Sequence, residues 1–391
     1  MKNTLFKIIA GNIVSQVIGL ISVPLLLSLY SASDLGYYGF FISASALLSA
    51  FISLRIENLM FSVSLREARA LFFLASTFLV IALIASGVVS YFILLLYSER
   101  ALYCSALFGA IGLAQFNVAY GFVVRQGRTN RHIAGRVIRN LGELAAITGC
   151  MIAHCPITVL PWLISLTYVV AAVFLSLNVA HFRLSECSAG ILVLKRNMDF
   201  LRYDSFASLL NAASLNLPVL FFYRVGEAEI SGIFFSVSRV LGTPALMIAQ
   251  SIGTTLKQHA SVEKIQQGTC KNSIQFVVDN VIRRWLPTYL LIGLAVVVGT
   301  YVWQSGITNI TLVVTMLVPM FFARYIYNCL GSIVYVLRLQ RDSLMFQSFL
   351  FAAVAGSLFL PAFVLTSLML YSITGILVYS VFFFRLLRFA R

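Results

Sequence analysis

Apolar residues run in stretches of about 20, broken by short polar segments, along the whole chain. Wound as a helix, a stretch of that length spans the hydrocarbon core of a bilayer. Twelve spans are expected: 8–30, 36–62, 69–97, 102–124, 137–155 and 157–180, then 199–224, 230–256, 285–303, 309–337, 343–362 and 366–387. The fifth is the least apolar, because it holds Arg139, Asn140 and Glu143. The pattern predicts an all-α polytopic membrane protein with about 12 transmembrane helices.

The basic residues orient these spans. With the N-terminus inside, alternate loops collect Lys2 and Lys7, Arg66 and Arg69, and Arg125, Arg128, Arg131 and Arg136. The same side then takes Arg183, Lys195, Arg196, Lys257, Lys264, Lys271, Arg283, Arg284, Arg338, Arg341, Arg385, Arg388 and Arg391. The opposite side holds Arg100, with Arg224 at its margin. Lys and Arg gather in cytoplasmic loops, so both termini are expected in the cytoplasm. Tyr30, Tyr37, Tyr97, Trp162, Tyr223, Tyr301 and Trp303 fall at the outer interface, where aromatic side chains anchor.

The two halves look alike. NIVSQVIGLISVPLLLSLYSASDLGYYGFF from Asn12 parallels NAASLNLPVLFFYRVGEAEISGIFF from Asn211. Each carries a proline in a span (Pro24, Pro218), an aromatic at its outer end (Tyr30, Tyr223) and then a glycine (Gly39, Gly232). An even number of spans per half makes this a parallel pseudo-repeat, an organisation found in transporters. The expected domains are a six-helix bundle over 1–182, a cytoplasmic linker over 183–198 and a second six-helix bundle over 199–391.

Composition removes the soluble classes. Of 391 residues, 60% are hydrophobic and only 10% charged, against about 25% charged in soluble domains. The net charge of +15 would suggest nucleic acid in a soluble protein; here the cytoplasmic loops account for it, and no nucleic-acid partner is expected. Cys104, Cys150, Cys155, Cys187, Cys270 and Cys329 make no CxxC pair and read as apolar filler. No metal pattern and no cofactor requirement is present. There is no GxxxxGK, HExxH or GxSxG. The outer loops, of about five residues or fewer, leave no room for an outer catalytic domain. A transporter is expected, with no catalytic residues.

Candidate chemistry lies in the ionisable residues within spans, which are costly there and face cavities or partners. Arg55 and Glu57, two apart, should project from different sides of their helix. Arg139 and Glu143 are spaced to pair directly. Arg202 and Asp204 sit near the inner end of span seven. Arg239 and Arg324 have no acid nearby in sequence and suggest a cation-lined cavity for an anionic substrate; the guanidinium fork suits phosphate. Asn12, Gln16, Asn211, Asn216 and Gln250 suit sugar hydroxyls, or bond helix to helix.

VPLLLSLYSASDLGYYGFF and SLRIEN in the first half, and LLNAASLNLPVLFF with GIFFSVSRVLGTPALMIAQSIG in the second, resemble Wzx-type O-antigen flippases. These are members of the multidrug/oligosaccharidyl-lipid/polysaccharide (MOP) exporter superfamily. The resemblance implies two six-helix bundles around a V-shaped central cleft. It implies translocation of undecaprenyl-pyrophosphate-linked oligosaccharide repeat units across the bacterial inner membrane, by alternating access coupled to an ion gradient. Arg55, Arg239 and Arg324, with Asn12, Gln16 and Asn211, are then the candidate substrate residues. Glu57, or less favourably Asp204, is the candidate proton site. The expected partners are the lipid-linked oligosaccharide, membrane lipids, an O-antigen polymerase and a chain-length regulator. Alternatives are a lipid II flippase, a drug or metabolite antiporter, which would favour acids over arginines, and a membrane glycan polymerase or ligase.

Overall fold

The computed structural model describes residues 28–96, 99–177, 184–242, 270–279, 310–331, 333–337, 339–360 and 363–389, with further positions at 15, 17–19, 21–22, 25–26, 245–246, 249, 252–253, 256, 260, 263, 287, 291, 293–294 and 297. Among these the regular structure is helical throughout, with no strand. The helices are α1 (Ala32–Ser53), α2 (Ile56–Leu59), α3 (Leu65–Leu96), α4 (Arg100–Arg125), α5 (Thr129–Ile152), α6 (Leu160–Ser176) and α7 (Leu184–Arg196). They continue with α8 (Phe206–Arg224), α9 (Ala228–Val237), α10 (Lys271–Val277), α11 (Ile310–Gly331), α12 (Ile333–Leu337), α13 (Gln340–Phe359) and α14 (Val364–Phe389). Wide π-helical turns precede α8 (Phe200–Ser205) and follow α9 (Ser238–Gly242). Seven helices among the described residues are long and apolar enough to cross a membrane, and α6 is a shorter apolar helix. The protein is an all-α, multi-pass membrane protein. On α3, Phe78, Ile81 and Ile84 face outward, Ile84 with 69% of its surface exposed; such a face suits hydrocarbon.

The chain forms two compact units, Met1–Gly232 and Ile233–Arg391. In the first, α4 is the hub against which α1, α3 and α6 pack. It can be approached closely because it is rich in small residues. A methyl at Gly109 would lie 2.9 Å from each of Phe41, Ser45 and Ser165. Serines then tie the backbones together: Ser45 Oγ donates to Ala106 O (3.1 Å) and Ser165 Oγ to Ser105 O (3.3 Å). Packing of this kind replaces the hydrophobic effect, which does not act between helices in lipid. α8 also belongs to this unit and packs on α1. Beside them, Gly36 lies under the Ala228 carbonyl and Gly232 under that of Ala32, so that a side chain at either glycine would clash. Tyr223 closes the same corner against Phe40 (4.9 Å) and Tyr37 (6.4 Å).

In the second unit α14 packs between α11 and α13. The contact is aromatic: Phe346 stacks on Phe382 at 4.0 Å, and Tyr327 lies over Phe346 and Tyr379.

Three expected boundaries shift. The span at 36–62 is interrupted: Leu54 and Arg55 take left-handed φ of 47° and 54°. Ser53 Oγ accepts from the Arg55 amide at 3.2 Å, offering the backbone an alternative to the helical bond. α5 starts at Thr129, not 137: His132 in its first turns is buried against Tyr120 and Arg131 lies over Phe174. Within the expected linker, 184–196 is helix, fixed to α3 by the Arg69–Glu186 ion pair at 3.1 Å. Most of span nine and about half of span one lie outside the described residues.

Candidate substrate and coupling sites

The break after α1 builds the first site. Arg55 and Glu57 were expected on different sides of a continuous helix. The left-handed turn at Leu54–Arg55 swings them together instead, with Arg55 Nη1 3.5 Å from Glu57 Oε1. Glu57 is 7% exposed. Its Oε2 and the Arg55 Nε are buried without a hydrogen-bond partner. Gly121 of α4 makes the room: a methyl there would stand 2.9 Å from Glu57 Cβ. One turn along α4, Arg125 Nη2 donates to Val63 O at 2.7 Å and holds the chain between α2 and α3. The result is a long, half-satisfied ion pair on a firm support. Such a carboxylate has capacity left for a proton or a hydroxyl.

A second polar array runs along one face of α5. Its members His132, Arg136, Arg139 and Glu143 recur at helical spacing. Tyr120 meets His132 in a short hydrogen bond, and Arg136 lies 4.7 Å over the Tyr120 ring. Arg139 does not pair with Glu143. Its guanidinium sits over Phe116 (5.0 Å) and Tyr168 (5.9 Å), presented by α4 and α6, and donates to Asn140 Oδ1 at 3.3 Å. Glu143 is buried and accepts from Tyr38 OH at 3.0 Å. Asn140 Nδ2 donates to Ser15 O (2.5 Å) and Ser15 Oγ (2.9 Å). The rings provide the partners that local spacing assigned to the acid. A guanidinium on an aromatic face keeps its charge and most of its donors. None of this array was among the expected substrate or coupling residues; Arg139 and Glu143 were expected only to pair with each other. The polar periodicity from His132 through Glu143 could have found the members on α5; Tyr38 and Tyr120, on α1 and α4, leave no such signal.

Two further expected residues occupy the π-helical turns. Asp204 is buried in Phe200–Ser205, next to Ser205, whose Oγ is buried without a hydrogen-bond partner. Arg239 lies in Ser238–Gly242, half-buried, its guanidinium 5.4 Å over Phe235. Wide turns of this kind are concentrated at functional sites. In the second unit a methyl at Gly242 would lie 3.1 Å from the Phe321 ring, so Arg239 and Arg324 each lie three residues from one close approach. Arg324 is half-buried on α11 near Tyr371 and Tyr379 of α14, with no hydrogen bond or ion pair among the described residues. Asn211 is half-buried on α8. Arg55, Glu57, Asp204 and Asn211 belong to the first unit, and Arg239 and Arg324 to the second. Asn12, Gln16 and Gln250 lie outside the described residues. No cluster of metal-ligating side chains occurs among the described residues.

Sequence comparison finds no matching family model and no matching curated protein. Solved structures do match over almost the full chain. An inward-facing multidrug resistance MATE family transporter of the MOP superfamily aligns with a TM-score of 0.70 at 14% identity, over 95% of this chain and 93% of that one. The lipid II flippase MurJ, in an inward closed conformation, aligns with a TM-score of 0.69 at 12% identity, over 96% and 86%. A MOP superfamily transporter from Pyrococcus furiosus, described by the reverse polarity of its binding pocket, gives 0.59 at 14%, over 98% and 93%. The chain has the fold of these transporters.

Proposed function

We propose that this chain is a MOP-type flippase that moves undecaprenyl-pyrophosphate-linked O-antigen repeat units from the cytoplasmic to the periplasmic leaflet of the bacterial inner membrane. The observation that carries this reading is the placing of guanidinium groups on aromatic rings. Arg136, Arg139 and Arg239 each lie over a ring. A ring beneath a guanidinium leaves its charge and its planar fork in place for an anion. A pyrophosphate headgroup needs such an environment, because its charges do not cross about 30 Å of hydrocarbon unaided. Arg55, Arg239, Arg324 and Asn211 are assigned to the headgroup and first sugars, and Asn12 and Gln16 to the sugars. Alternating access of two six-helix bundles, 1–182 and 199–391, around a V-shaped cleft would carry the load, with both termini cytoplasmic. Glu57 would take the coupling proton while Arg55 is drawn away to the substrate; Asp204 is the second choice. An O-antigen polymerase and a chain-length regulator would receive the product.

A lipid II flippase is the second reading, favoured by the likeness to MurJ. It presents the same pyrophosphate headgroup with a different glycan. The deciding experiment deletes the gene and measures which lipid-linked unit accumulates, and in which leaflet. O-antigen units held on the cytoplasmic face, with surface polysaccharide lost, support the proposal. Lipid II held there would establish the second reading. Units left unpolymerised on the outer face would reject both. Arg239→Ala and Arg324→Ala should each abolish surface O-antigen while the protein still inserts; normal O-antigen in both would reject the cationic assignment.

A further inference from the structure

The end of α5 closes on two cysteines. The helix stops at Ile152 and Ala153 caps it. His154 follows in the left-handed region, at φ +48°. Its amide donates to Met151 O at 3.3 Å, and the Cys155 amide donates to Cys150 O at 2.9 Å. Two such bonds around a left-handed residue make the Schellman ending of a helix. That ending presses the side chain two residues past the cap against the one three residues before it, a contact usually made by two apolar groups. Here both positions are cysteine. Cys150 is buried and Cys155 half-buried, and both are free thiols in the structure. Tyr30 OH donates to Cys155 O at 3.3 Å, fastening this corner to the end of the first span.

We propose that Cys150 and Cys155 form a disulfide in the mature protein. The inference rests on the orientation given above, which puts this end of α5 in the periplasm, where thiols meet disulfide-donating thiol oxidases. The half-buried Cys155 reacts first. Its thiolate attacks the oxidase disulfide, one oxidase sulfur leaves as thiolate, and a mixed disulfide forms. The Cys150 thiolate then attacks Cys155 Sγ and releases the second oxidase thiolate. Two cysteine protons and two electrons leave the chain, and the oxidase disulfide becomes a dithiol. The cross-link locks the left-handed turn at His154. It thereby fixes the outer end of the helix that carries Arg136, Arg139 and Glu143.

The test counts thiols in the full-length protein taken from growing cells. Cells are denatured in detergent with excess maleimide, and alkylated cysteines are counted by intact mass before and after reduction. Four alkylated cysteines before reduction and six after are expected. Cys150→Ala/Cys155→Ala should give four in both cases. Six in the unreduced wild-type chain would overturn the proposal. A membrane-impermeant maleimide applied to intact cells separates the two causes of failure. It should label Cys150→Ala at Cys155, above the double variant. Such labelling together with six free thiols would overturn the disulfide and leave the orientation intact. Labelling only after permeabilisation would overturn the orientation, and the disulfide with it.

Discussion

Glu57 and Arg139 carry opposite lessons about charge in an apolar setting. Glu57 has a cation beside it, yet the pair is long and leaves one oxygen without a partner. Arg139 has an acid one turn away and rests on rings instead. The Glu57 site depends on an absent side chain at Gly121. Gly121→Ala should therefore cost about 1–3 kcal/mol through overpacking, read as a lower melting temperature in detergent; an unchanged value would show that the approach is not tight. Glu57→Gln keeps the shape and removes the titrating group. It should stop ion-driven transport with the fold intact, and an unaltered rate in vesicles would remove Glu57 from coupling. Arg139→Lys keeps the charge but loses the planar stack over Phe116 and Tyr168. The expected result is weakened surface O-antigen with normal insertion, and full O-antigen would mean that charge alone suffices.

At the level of elements, the ends of helices decide what the middles present. Leu54 holds a left-handed conformation that costs an L-residue about 1–2 kcal/mol. Glycine adopts it freely, so Leu54→Gly should raise stability by up to about 1 kcal/mol. A fall in melting temperature would mean that Leu54 packing matters more than its backbone. Glu263 sits between expected spans and caps α10, accepting from the Asn272 amide at 2.8 Å and from Ser273. Burial works to raise its carboxyl, but the bonds from Ser273 and Asn272 outweigh it and hold the group below the ordinary carboxylate value. A folded-state value below the unfolded value of about 4.3 makes the stabilisation complete above that pH. It fades as the pH falls through the folded value. Glu263→Gln should flatten stability against pH in that acidic window, and a wild-type slope in the variant would exclude this cap as its source.

For the whole molecule, orientation is the property on which the flippase reading and the cysteine inference both depend. Fluorescent protein fused after Arg391 should fluoresce and phosphatase fused there should stay inactive; the reverse pattern would invert the topology. Several membrane helices follow from apolar length alone. Spans expected at 102–124, 343–362 and 366–387 correspond to α4, α13 and α14 within a few residues. A run of about 20 apolar residues has one low-energy state in lipid, with every backbone bond satisfied inside the segment. That constraint is local, so the chain by itself determines the all-α class and the helix positions. It also supplies the candidate arginines and the basic asymmetry from which orientation is read. The tertiary structure decided where the helices stop and what their polar side chains meet. The start of α5 moved by eight residues because Tyr120 covers His132 in a turn that looks like loop. Arg55 met Glu57 because a left-handed break, supported by Ser53 and by the space at Gly121, replaced a straight helix. The partners of Arg139, Glu143 and Asn140 come from α4, α6, Tyr38 and Ser15. Those contacts join residues up to 125 positions apart, and pairing at that range is fixed by packing, which periodicity along one helix does not encode.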